Sequence, residues 1–285
     1  MNEYSRKMLK VPTYNLLREQ DMGKLPVLDV RNLGIDFGGL TAVDGFNITI
    51  GPTEISGLIG PNGAGKTTIF NLLTGVYQPT RGSVLINGID IKGMPIHKVN
   101  RLGIARTFQN IRLFGDMTAL DNVRVGMHHS IKCNFLESIF HLPGYYKAEK
   151  ASKERAMELL DFMGLADVAD VKAGSLPYGV QRRLEIVRAL ATEPSIILLD
   201  EPAAGMNPSE TAELMHQIRR IRDTFQIAIF LIEHDMNLVM NVCEGIVVVN
   251  YGRIIAKGTP EQIKSNPAVI EAYLGKKEEK SNAEN

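Results

Sequence analysis

The stretch GLIGPNGAGKTTIF, residues 57–70, decides the fold class of this chain. Within it, residues 60–67 match the pattern GxxxxGK[ST], which cradles phosphate when it follows a strand and opens a helix. The run ISGLIG has the apolar character of a strand. The run TTIFNLLTG is typical of a helix, with Gly75 just past its end as a stop signal. The stretch therefore predicts a P-loop on an α/β core.

The chemistry of a P-loop assigns a role to each of its residues. Glycines allow backbone angles at which successive N–H groups converge on phosphate oxygens, and the helix N-terminus adds partial positive charge. Lys66 is expected to meet the β- and γ-phosphates, and the Thr67 hydroxyl to bind Mg²⁺. The alternative, a chance glycine turn, needs neither the strand nor the helix. The predicted nucleotide-binding residues are Gly60, Pro61, Asn62, Gly63, Ala64, Gly65, Lys66, Thr67 and Thr68.

The composition is that of an ordinary globular protein. The 285 residues are 44% hydrophobic and 22% charged, enough for one large domain or two small ones. Basic and acidic residues number 32 each, and this zero formal charge gives no support to nucleic-acid binding. Cys133 and Cys243 lack CxxC spacing, so reduced cytosolic thiols fit better than a disulfide framework or a thiolate metal site.

No run of the sequence approaches the roughly 18 uninterrupted apolar residues of a membrane-spanning helix. The N-terminal residues are charged throughout and lack the apolar segment of a secretion signal. If the chain works at a membrane, we expect it to do so peripherally, from the cytoplasmic face and through a partner.

Short apolar runs punctuated by glycine predict strands from Val27 onward: VLDVRNLGIDF, FNITI, ISGLIG and SVLINGIDI. Helical patterns follow, in ALDNVRVGMHHS, NFLESIFHL and KAEKASKERAMELLDFMGL, with a break at residues 143–144. SIILLDEP and IAIFLIEHD have the continuous apolar character of parallel strands covered on both faces. GIVVVNYGRIIAKG predicts a hairpin that turns at residues 250–252.

These elements predict an α/β fold with a mostly parallel sheet, an antiparallel β subdomain and an inserted helical subdomain. The N-terminal extension is expected over residues 1–26 and the main domain over 27–262. The helical subdomain is expected at about 117–182 and a polar C-terminal tail over 263–285.

Two of the predicted parallel strands end in residues that suit phosphate hydrolysis. The first delivers Asp200 and Glu201 to the carboxyl edge of the sheet, where ligands bind in open α/β folds. Asp200 is suited to hold Mg²⁺, and Glu201 to orient or deprotonate an attacking water. The second delivers His234, which could hydrogen-bond a γ-phosphate or that water, although a structural histidine is the alternative. Beside a P-loop, the Asp–Glu pair indicates hydrolysis.

A further motif, LPYGVQRR, runs into the helical pattern LEIVRALATEP. With the three motifs above, it resembles the ATP-binding domains of ABC transporters, whose signature is LSGGQ followed by a basic helix. The resemblance covers about residues 27–262 and implies that the nucleotide is ATP. It also implies that the signature segment completes the site of a second subunit in a head-to-tail dimer. The segment consists of Leu176, Pro177, Tyr178, Gly179, Val180 and Gln181.

The same resemblance implies roles for four more residues. Phe37 matches an aromatic residue that stacks on adenine, and Val43 would line the same face, although a core phenylalanine fits the composition equally well. Gln109 matches the glutamine that senses Mg²⁺ and the attacking water and that links the helical subdomain to the core. Asn207 stands where the family usually has an Asp that crosses the dimer. The implied catalytic residues are then Glu201, His234, Gln109 and Lys66, and the metal ligands Thr67, Gln109 and Asp200.

This chain departs from the family pattern in its signature. Pro177 replaces the serine, which removes a hydroxyl contact, and Tyr178 replaces the first glycine. The Gly179 amide and the helix N-terminus are left as the anchor, and Asn207 keeps hydrogen-bonding capacity without charge. With IARTFQNIRLFGDMTALDNV and an extra stretch around 130–150, these variants resemble the branched-chain amino-acid importer subgroup, and within it the longer of two ATPases.

The resemblance implies an ATP-hydrolysing subunit of an importer. Its expected partners are membrane permease subunits, a second ABC ATPase (a paralogue or a copy of itself) and, indirectly, an extracytoplasmic solute-binding protein. The ATPase of a urea or amide importer or of a lipid exporter is the nearest alternative, followed by a soluble ABC ATPase acting on DNA or ribosomes. A GTPase or small-molecule kinase fits less well, because no NKxD motif is present and a signature helix is.

Overall fold

The computed structural model describes residues 21, 23–127 and 143–274. Across these ranges, no helix is both long and apolar enough to cross a membrane. The strands are β1 (Leu28–Phe37), β2 (Leu40–Ile50), β3 (Ile55–Ile59), β4 (Arg81–Ile86), β5 (Ile89–Asp90), β6 (Ile104–Arg106), β7 (Ile196–Asp200), β8 (Ala228–Ile232), β9 (Gly245–Asn250) and β10 (Arg253–Gly258). The helices are α1 (Lys66–Leu73), α2 (Ile96–Arg101), α3 (Ala119–Gly126), α4 (Pro143–Phe162), α5 (Tyr178–Leu190), α6 (Pro208–Phe225), α7 (Met236–Val242), α8 (Pro260–Lys264) and α9 (Pro267–Leu274).

Two sheets form the framework. The larger has the order β10-β9-β3-β8-β7-β6 and is parallel except for β10. Every residue of β3, β7 and β8 is buried, which explains why these strands are apolar throughout instead of alternating. The smaller sheet, β2-β1-β4-β5, is antiparallel. The predicted fold class is confirmed.

The parallel sheet separates two hydrophobic clusters. Alternate residues of a strand point to opposite faces, so Leu198 and Ile197 of β7 belong to different clusters. On one face, Phe230 of β8 contacts Phe70 of α1, with ring centroids 5.3 Å apart. On the other face, Ile197 belongs to the same cluster as Leu184 of α5. The sheet is therefore covered on both sides, as its apolar strands require.

The predicted hairpin is confirmed and supports the P-loop. Asn250 pairs with Arg253, and the two turn residues between them, Tyr251 and Gly252, have φ angles of 46° and 75°. Positive φ at both positions is the mark of a type I′ turn. Gly252 donates its N–H to the carbonyl of Ala64 at 3.0 Å. The hairpin turn thus braces the loop from the side.

The helical subdomain consists of α3, α4 and α5, which pack against one another. Helix α5 continues to Leu190, so the predicted boundary at 182 falls inside it. The break predicted at residues 143–144 coincides with the start of α4, whose first residue is Pro143. Proline suits this position because the first helical turn needs no N–H donor. The predicted helix NFLESIFHL lies outside the described residues.

Packing extends beyond residues 27–262 at both ends. Asp21 is buried and accepts hydrogen bonds from the amide and hydroxyl of Thr53, at 2.8 and 3.0 Å. The boundary predicted at 262 falls inside α8, and Val269 of the following helix is buried. Helices α8 and α9 had no expected counterpart in the sequence, because each is only one to two turns long.

A buried carboxyl at the amino end of β3 makes stability depend on pH. Glu54 is fully buried and accepts hydrogen bonds from the Gly51 amide (3.1 Å) and the Ser56 hydroxyl. Burial raises the pKa of Glu54 to about 8, and the nearby Glu244 and Asp21 carboxylates add to the rise. A folded-state pKa above the unfolded value favours the protonated form in the folded protein. The free energy of unfolding should therefore fall as the pH rises from about 4.5 towards 8.

We expect Glu54→Gln to remove this decline. The variant keeps the shape of a protonated carboxyl without its titration, so its free energy of unfolding at pH 8 should exceed that of the wild type by on the order of a few kcal/mol. At pH 5 the two proteins should differ little. Urea unfolding between pH 5 and pH 8 measures both curves, and parallel curves would show that the titration of Glu54 does not affect stability.

Candidate functional site

Four neighbouring parallel strands bring the predicted motifs to one edge of the sheet. Strands β3, β8, β7 and β6 lie side by side in this order. Their carboxyl ends are followed by residues 60–65, 233–235, 201–207 and 107–109, respectively. The carboxyl edge of a parallel sheet is where ligands bind in open α/β folds. The motifs that are distant in the sequence therefore meet at one site.

Two glycines give the P-loop its path. Gly60 leaves β3 with a φ of 155°, and a Cβ atom there would lie only 2.1 Å from the Val249 carbonyl oxygen. Gly65 caps α1 with a φ of 98°, and its Cβ would approach the Ala42 carbonyl oxygen to 3.0 Å. Both positions thus need glycine for its positive φ and for the missing side chain. The sequence pattern follows from these contacts.

Lys66 is the first residue of α1 and folds back over the loop. Its Nζ donates to the carbonyl oxygens of Gly60 and Pro61, at 2.7 and 2.9 Å. The residue is only 7% exposed. Burial lowers the pKa of the Lys66 ammonium, and the Glu201 and Asp200 carboxylates act in the opposite direction. Lys66 thus packs against its own loop, at the sheet edge where β7 ends in Asp200.

The remaining loop residues differ in accessibility. Asn62, Gly63 and Thr67 are exposed, whereas Ala64 is buried. The first N–H groups of a helix have no acceptor within the helix. The start of α1 therefore presents backbone donors and an exposed hydroxyl to any ligand at the loop. Pro61, Gly65 and Thr68 are half-buried.

Asp200 forms a buried ion pair that the sequence did not reveal. Its Oδ2 accepts from Arg106 Nη2 at 2.7 Å, and the two side chains are 5% and 6% exposed. Arg106 also donates to Asn71 Oδ1 of α1 at 2.7 Å. Its guanidinium lies over the rings of Phe70 and Phe108, 5.5 and 5.1 Å from their centroids. Arg106 thus connects β6, α1 and the end of β7.

Glu201 joins the predicted residues Gln109 and His234. Its Oε2 accepts from Gln109 Nε2 at 2.9 Å, and its Oε1 lies 3.0 Å from His234 Nε2. An ionised carboxylate only accepts hydrogen bonds, so the contact with His234 needs a hydrogen on Nε2. The Glu201 side chain is 18% exposed, and that of His234 43%. The three residues, far apart in the sequence, form one hydrogen-bonded group.

Glu233 braces this group from below. It is 3% exposed and accepts from the amides of Ala203 (2.7 Å), His234 (2.9 Å) and Asp235 (3.3 Å). Burial raises the pKa of the Glu233 carboxyl, and these three amide bonds counteract the rise. The contacts join the end of β8 to the segment after Glu201, so His234 and Glu201 share a common support.

The signature segment forms the start of α5. Pro177 is the N-cap residue and provides no side-chain hydrogen bond, so the first amides of the helix have no side-chain cap. Tyr178 is 45% exposed, and its ring packs over Gly205, where an added Cβ would lie 3.2 Å from Cε1. Gln181 donates to the Leu176 carbonyl oxygen at 2.7 Å. Gly179 and Val180 are both half-buried.

Asn207 caps helix α6. Its Oδ1 accepts from the amides of Ser209 and Glu210, both at 3.0 Å, and Glu210 accepts from the Asn207 amide at 2.9 Å. This reciprocal pair is a capping box. Asn207 is exposed. An asparagine can thus fill the cap without the charge of the expected aspartate.

The two residues expected near adenine differ in their exposure to solvent. Phe37 lies at the end of β1, is 44% exposed and meets Tyr77 edge to face, with ring centroids 5.4 Å apart. The core alternative for Phe37 is therefore wrong. Val43 is fully buried in the core instead of lining an open face. Its Cγ2 would lie 3.7 Å from a Cβ on Gly65, so Val43 supports the P-loop from beneath.

Sequence reasoning missed four buried charged residues that hold the site together. The Arg106–Asp200 pair is long-range and leaves no local pattern. Arg182 and Glu185 do have the i,i+3 spacing of a helical ion pair, but that spacing does not show that the pair is buried against the site. The motifs quoted for other reasons did contain these residues, which are Arg106, Arg182, Glu185 and Glu233.

The arrangement can bind an anion and act on it. Lys66 and the backbone donors of α1 supply positive potential, and phosphate is the anion that such a loop cradles. Glu201 supplies a carboxylate that can orient or deprotonate a water molecule. Within the described residues, no three His, Cys, Asp or Glu side chains cluster as a metal site.

Two family profiles match the chain. The first, described as ABC transporter, matches residues 43–204, which is more than half of the chain. The chain belongs to the ABC transporter family. A second profile, described as branched-chain amino acid ATP-binding cassette transporter, matches residues 253–279 of this ABC protein. The resemblance to the branched-chain subgroup, predicted from the motifs, is thereby confirmed.

Relatives of this ABC protein share almost their whole length with it. BraF of Pseudomonas aeruginosa, a high-affinity branched-chain amino acid transport ATP-binding protein, is 49% identical over 250 residues. LivG of Escherichia coli strain K12, which bears the same description, is 48% identical over 250 residues. Each alignment covers 88% of this chain and 98% of the relative. The similarity is therefore not restricted to the nucleotide-binding motifs.

Solved structures show the same fold. A nucleotide-free ATP-binding cassette from an ABC transporter has a TM-score of 0.75 at 33% identity, covering 88% of this chain and all of the other. The ADP conformation of such a cassette has a TM-score of 0.74 at 31% identity, with coverage of 88% and 99%. This ABC protein is a transport ATPase by family, and ATP is its nucleotide.

Proposed function

We propose that this ABC ATPase hydrolyses ATP to power the import of branched-chain amino acids. The observation that carries the proposal is the meeting of the P-loop with Glu201, Gln109 and His234 at one sheet edge. Identities of 49% and 48% to proteins described as serving branched-chain amino acid transport support the solute.

Nucleotide binding is assigned to the P-loop and to Phe37. The backbone donors of residues 60–68 would surround the β- and γ-phosphates, and Lys66 would exchange its two carbonyl contacts for phosphate oxygens. Phe37 offers an exposed ring at the end of β1 on which a base can stack. Val43 contributes indirectly, by packing beneath Gly65.

The oxygen atoms at the site fit Mg²⁺. This ion prefers oxygen ligands and usually binds through one or two carboxylates together with substrate phosphates. Thr67 offers an exposed hydroxyl and Asp200 a carboxylate. Gln109 uses its Nε2 on Glu201, which leaves the amide oxygen for a cation. Bound Mg²⁺ would neutralise phosphate charge.

Hydrolysis is assigned to Glu201. Its carboxylate would take a proton from the water that attacks the γ-phosphate, while Gln109 and His234 fix its orientation from two sides. The His234 side chain is 43% exposed, against 18% for that of Glu201, which suits a residue that also reaches the γ-phosphate. Lys66 would stabilise charge on the transferred group.

A second ATPase chain would complete the site. The start of α5 offers amides without a side-chain cap, and an anion bound there would come from another subunit, because the P-loop of the same chain serves its own nucleotide. Tyr178 is the first residue of this helix, and Asn207 bonds to Glu210, whose carboxylate lies beside Gly179. Binding to membrane permease subunits would place this chain peripherally at the cytoplasmic face. A solute-binding protein would act on it only indirectly, through those permeases.

Turnover should depend on the charge of Glu201. We expect Glu201→Gln to bind ATP normally and to lower the turnover number by about 10²-fold or more, because the amide cannot accept the proton. The trapped ATP should also hold two chains together. Steady-state ATPase rates, nucleotide binding and sedimentation in ATP measure the three effects.

Glu193→Gln is a matched control, because Glu193 is an exposed glutamate that shares the positive φ of Glu201, 52° against 49°. It should hydrolyse ATP at the wild-type rate. Normal turnover by Glu201→Gln would remove Glu201 from its proposed role.

The transported solute can be tested in membrane vesicles. The chain, co-purified with its membrane partners and reconstituted, should drive ATP-dependent uptake of leucine, isoleucine and valine, and Glu201→Gln should abolish this uptake. Transport of urea, an amide or a lipid in place of these amino acids would contradict the assigned solute while leaving the ATPase role intact.

A further inference from the structure

A single buried guanidinium joins helix α5, which begins with the signature segment, to the segments that carry Gln109 and Glu201. Arg182 lies on α5, and its side chain is 1% exposed. Its Nη1 donates to the carbonyl oxygen of Phe108, and its Nη2 donates to those of Gln109 (2.5 Å) and Glu201 (3.2 Å). These three carbonyls belong to the segments after β6 and β7. The backbones of Gln109 and Glu201 are thus both bonded directly to α5.

Glu185, one helical turn further along α5, contacts the same segment. Its Oε2 accepts from Arg182 Nη1 at 3.0 Å, and its side chain is 2% exposed. Its Oε1 accepts from the amides of Arg112 (3.3 Å) and Phe108 (3.5 Å). The pair therefore binds residues 108–112 through donors and acceptors at once, which fixes the segment more firmly than either residue alone.

Stability alone does not account for this buried pair. Removing two charges from water is costly, and well-packed apolar residues of similar volume often replace such pairs without loss. Arg182 Nε is also buried and makes no hydrogen bond within the described part of the chain. What apolar residues could not reproduce is the set of directed bonds to the backbones of Gln109 and Glu201.

We propose that Arg182 and Glu185 are positioning residues for ATP hydrolysis. They fix the positions of Gln109 and Glu201 relative to each other and to α5. A displacement of α5 would therefore displace both residues. The inference rests on the hydrolytic role proposed above for Glu201. Since α5 begins with the segment assigned to the partner's nucleotide, the pair would connect occupancy of one site with the geometry of the other.

Hydrogen exchange tests the contacts without requiring catalysis. In the full-length chain, Arg182→Met and Glu185→Gln should each make the amides of residues 108–112 exchange roughly tenfold to hundredfold faster, because hydrogen bonds to charged groups are lost. Exchange in peptides covering the P-loop should stay unchanged. Glu185→Gln preserves the side-chain volume, so it provides the answer if Arg182→Met does not fold.

Arg222→Met is the matched control. Arg222 is a second buried arginine, 9% exposed, and its Nη1 pairs with Glu244 Oε1 at 2.7 Å. Glu244 binds the amide of Ile55 at the opposite end of β3 from the P-loop. This variant should lower the melting temperature without changing exchange at residues 108–112. Equal acceleration in the control would overturn the proposal, because it would show a global loss of stability.

Kinetics test the consequence of the contacts. We expect Arg182→Met to lower kcat roughly tenfold to hundredfold, as for a small misplacement of catalytic groups, with ATP binding unchanged. Arg222→Met should keep the wild-type kcat below its melting temperature. A wild-type kcat in both Arg182→Met and Glu185→Gln, or unaltered exchange at 108–112, would overturn the proposal. If the wild type did not hydrolyse ATP but exchange at residues 108–112 was faster in the variants, the hydrolytic role of Glu201 would be wrong. The contacts of Arg182 and Glu185 would still be supported.

Discussion

The position of the Glu201 carboxylate is the constraint on which the site depends. Glu201 has a φ of 49°, a conformation that costs a non-glycine residue about 1–3 kcal/mol. Its amide donates to the Ile232 carbonyl oxygen at 2.9 Å, and its own carbonyl accepts from Arg182. Gln109 and His234 then hold the carboxylate. Strained backbone persists only where its surroundings over-determine it, and here three separate segments do so: the end of β8, helix α5 and the segment after β6.

Charge is balanced locally at this sheet edge. The Asp200 carboxylate is neutralised by Arg106, while Lys66 rests on two carbonyl oxygens of its own loop. Burial lowers the pKa of Lys66, and the two nearby carboxylates favour its charged form. A phosphate ligand would bring negative charge to a site where cations are already desolvated, and charge interactions are strong in such surroundings. Asp200 and Lys66 are thus both partnered within the protein.

Local patterns predicted most of the fold. The P-loop, the apolar strands β7 and β8 and the hairpin β9–β10 each carry their signal within about ten residues. The three-residue strand β6 and the short helices near the C-terminus carry too little signal. Burial of Val43 depends on how β2 packs beneath the loop, which no local pattern records. The sequence predicted Glu201, His234 and Gln109 one at a time. It did not predict their contacts with one another, because these depend on the order of β6, β7 and β8 in the sheet.

The most direct test is a double-mutant cycle on Gln109 and His234, measured as kcat for ATP hydrolysis. Both side chains act through the one carboxylate of Glu201, so each Ala substitution should lower kcat and the double variant should lose little more than the worse single variant. Losses that multiply would contradict the account, because they would show that Gln109 and His234 act independently of a shared carboxylate.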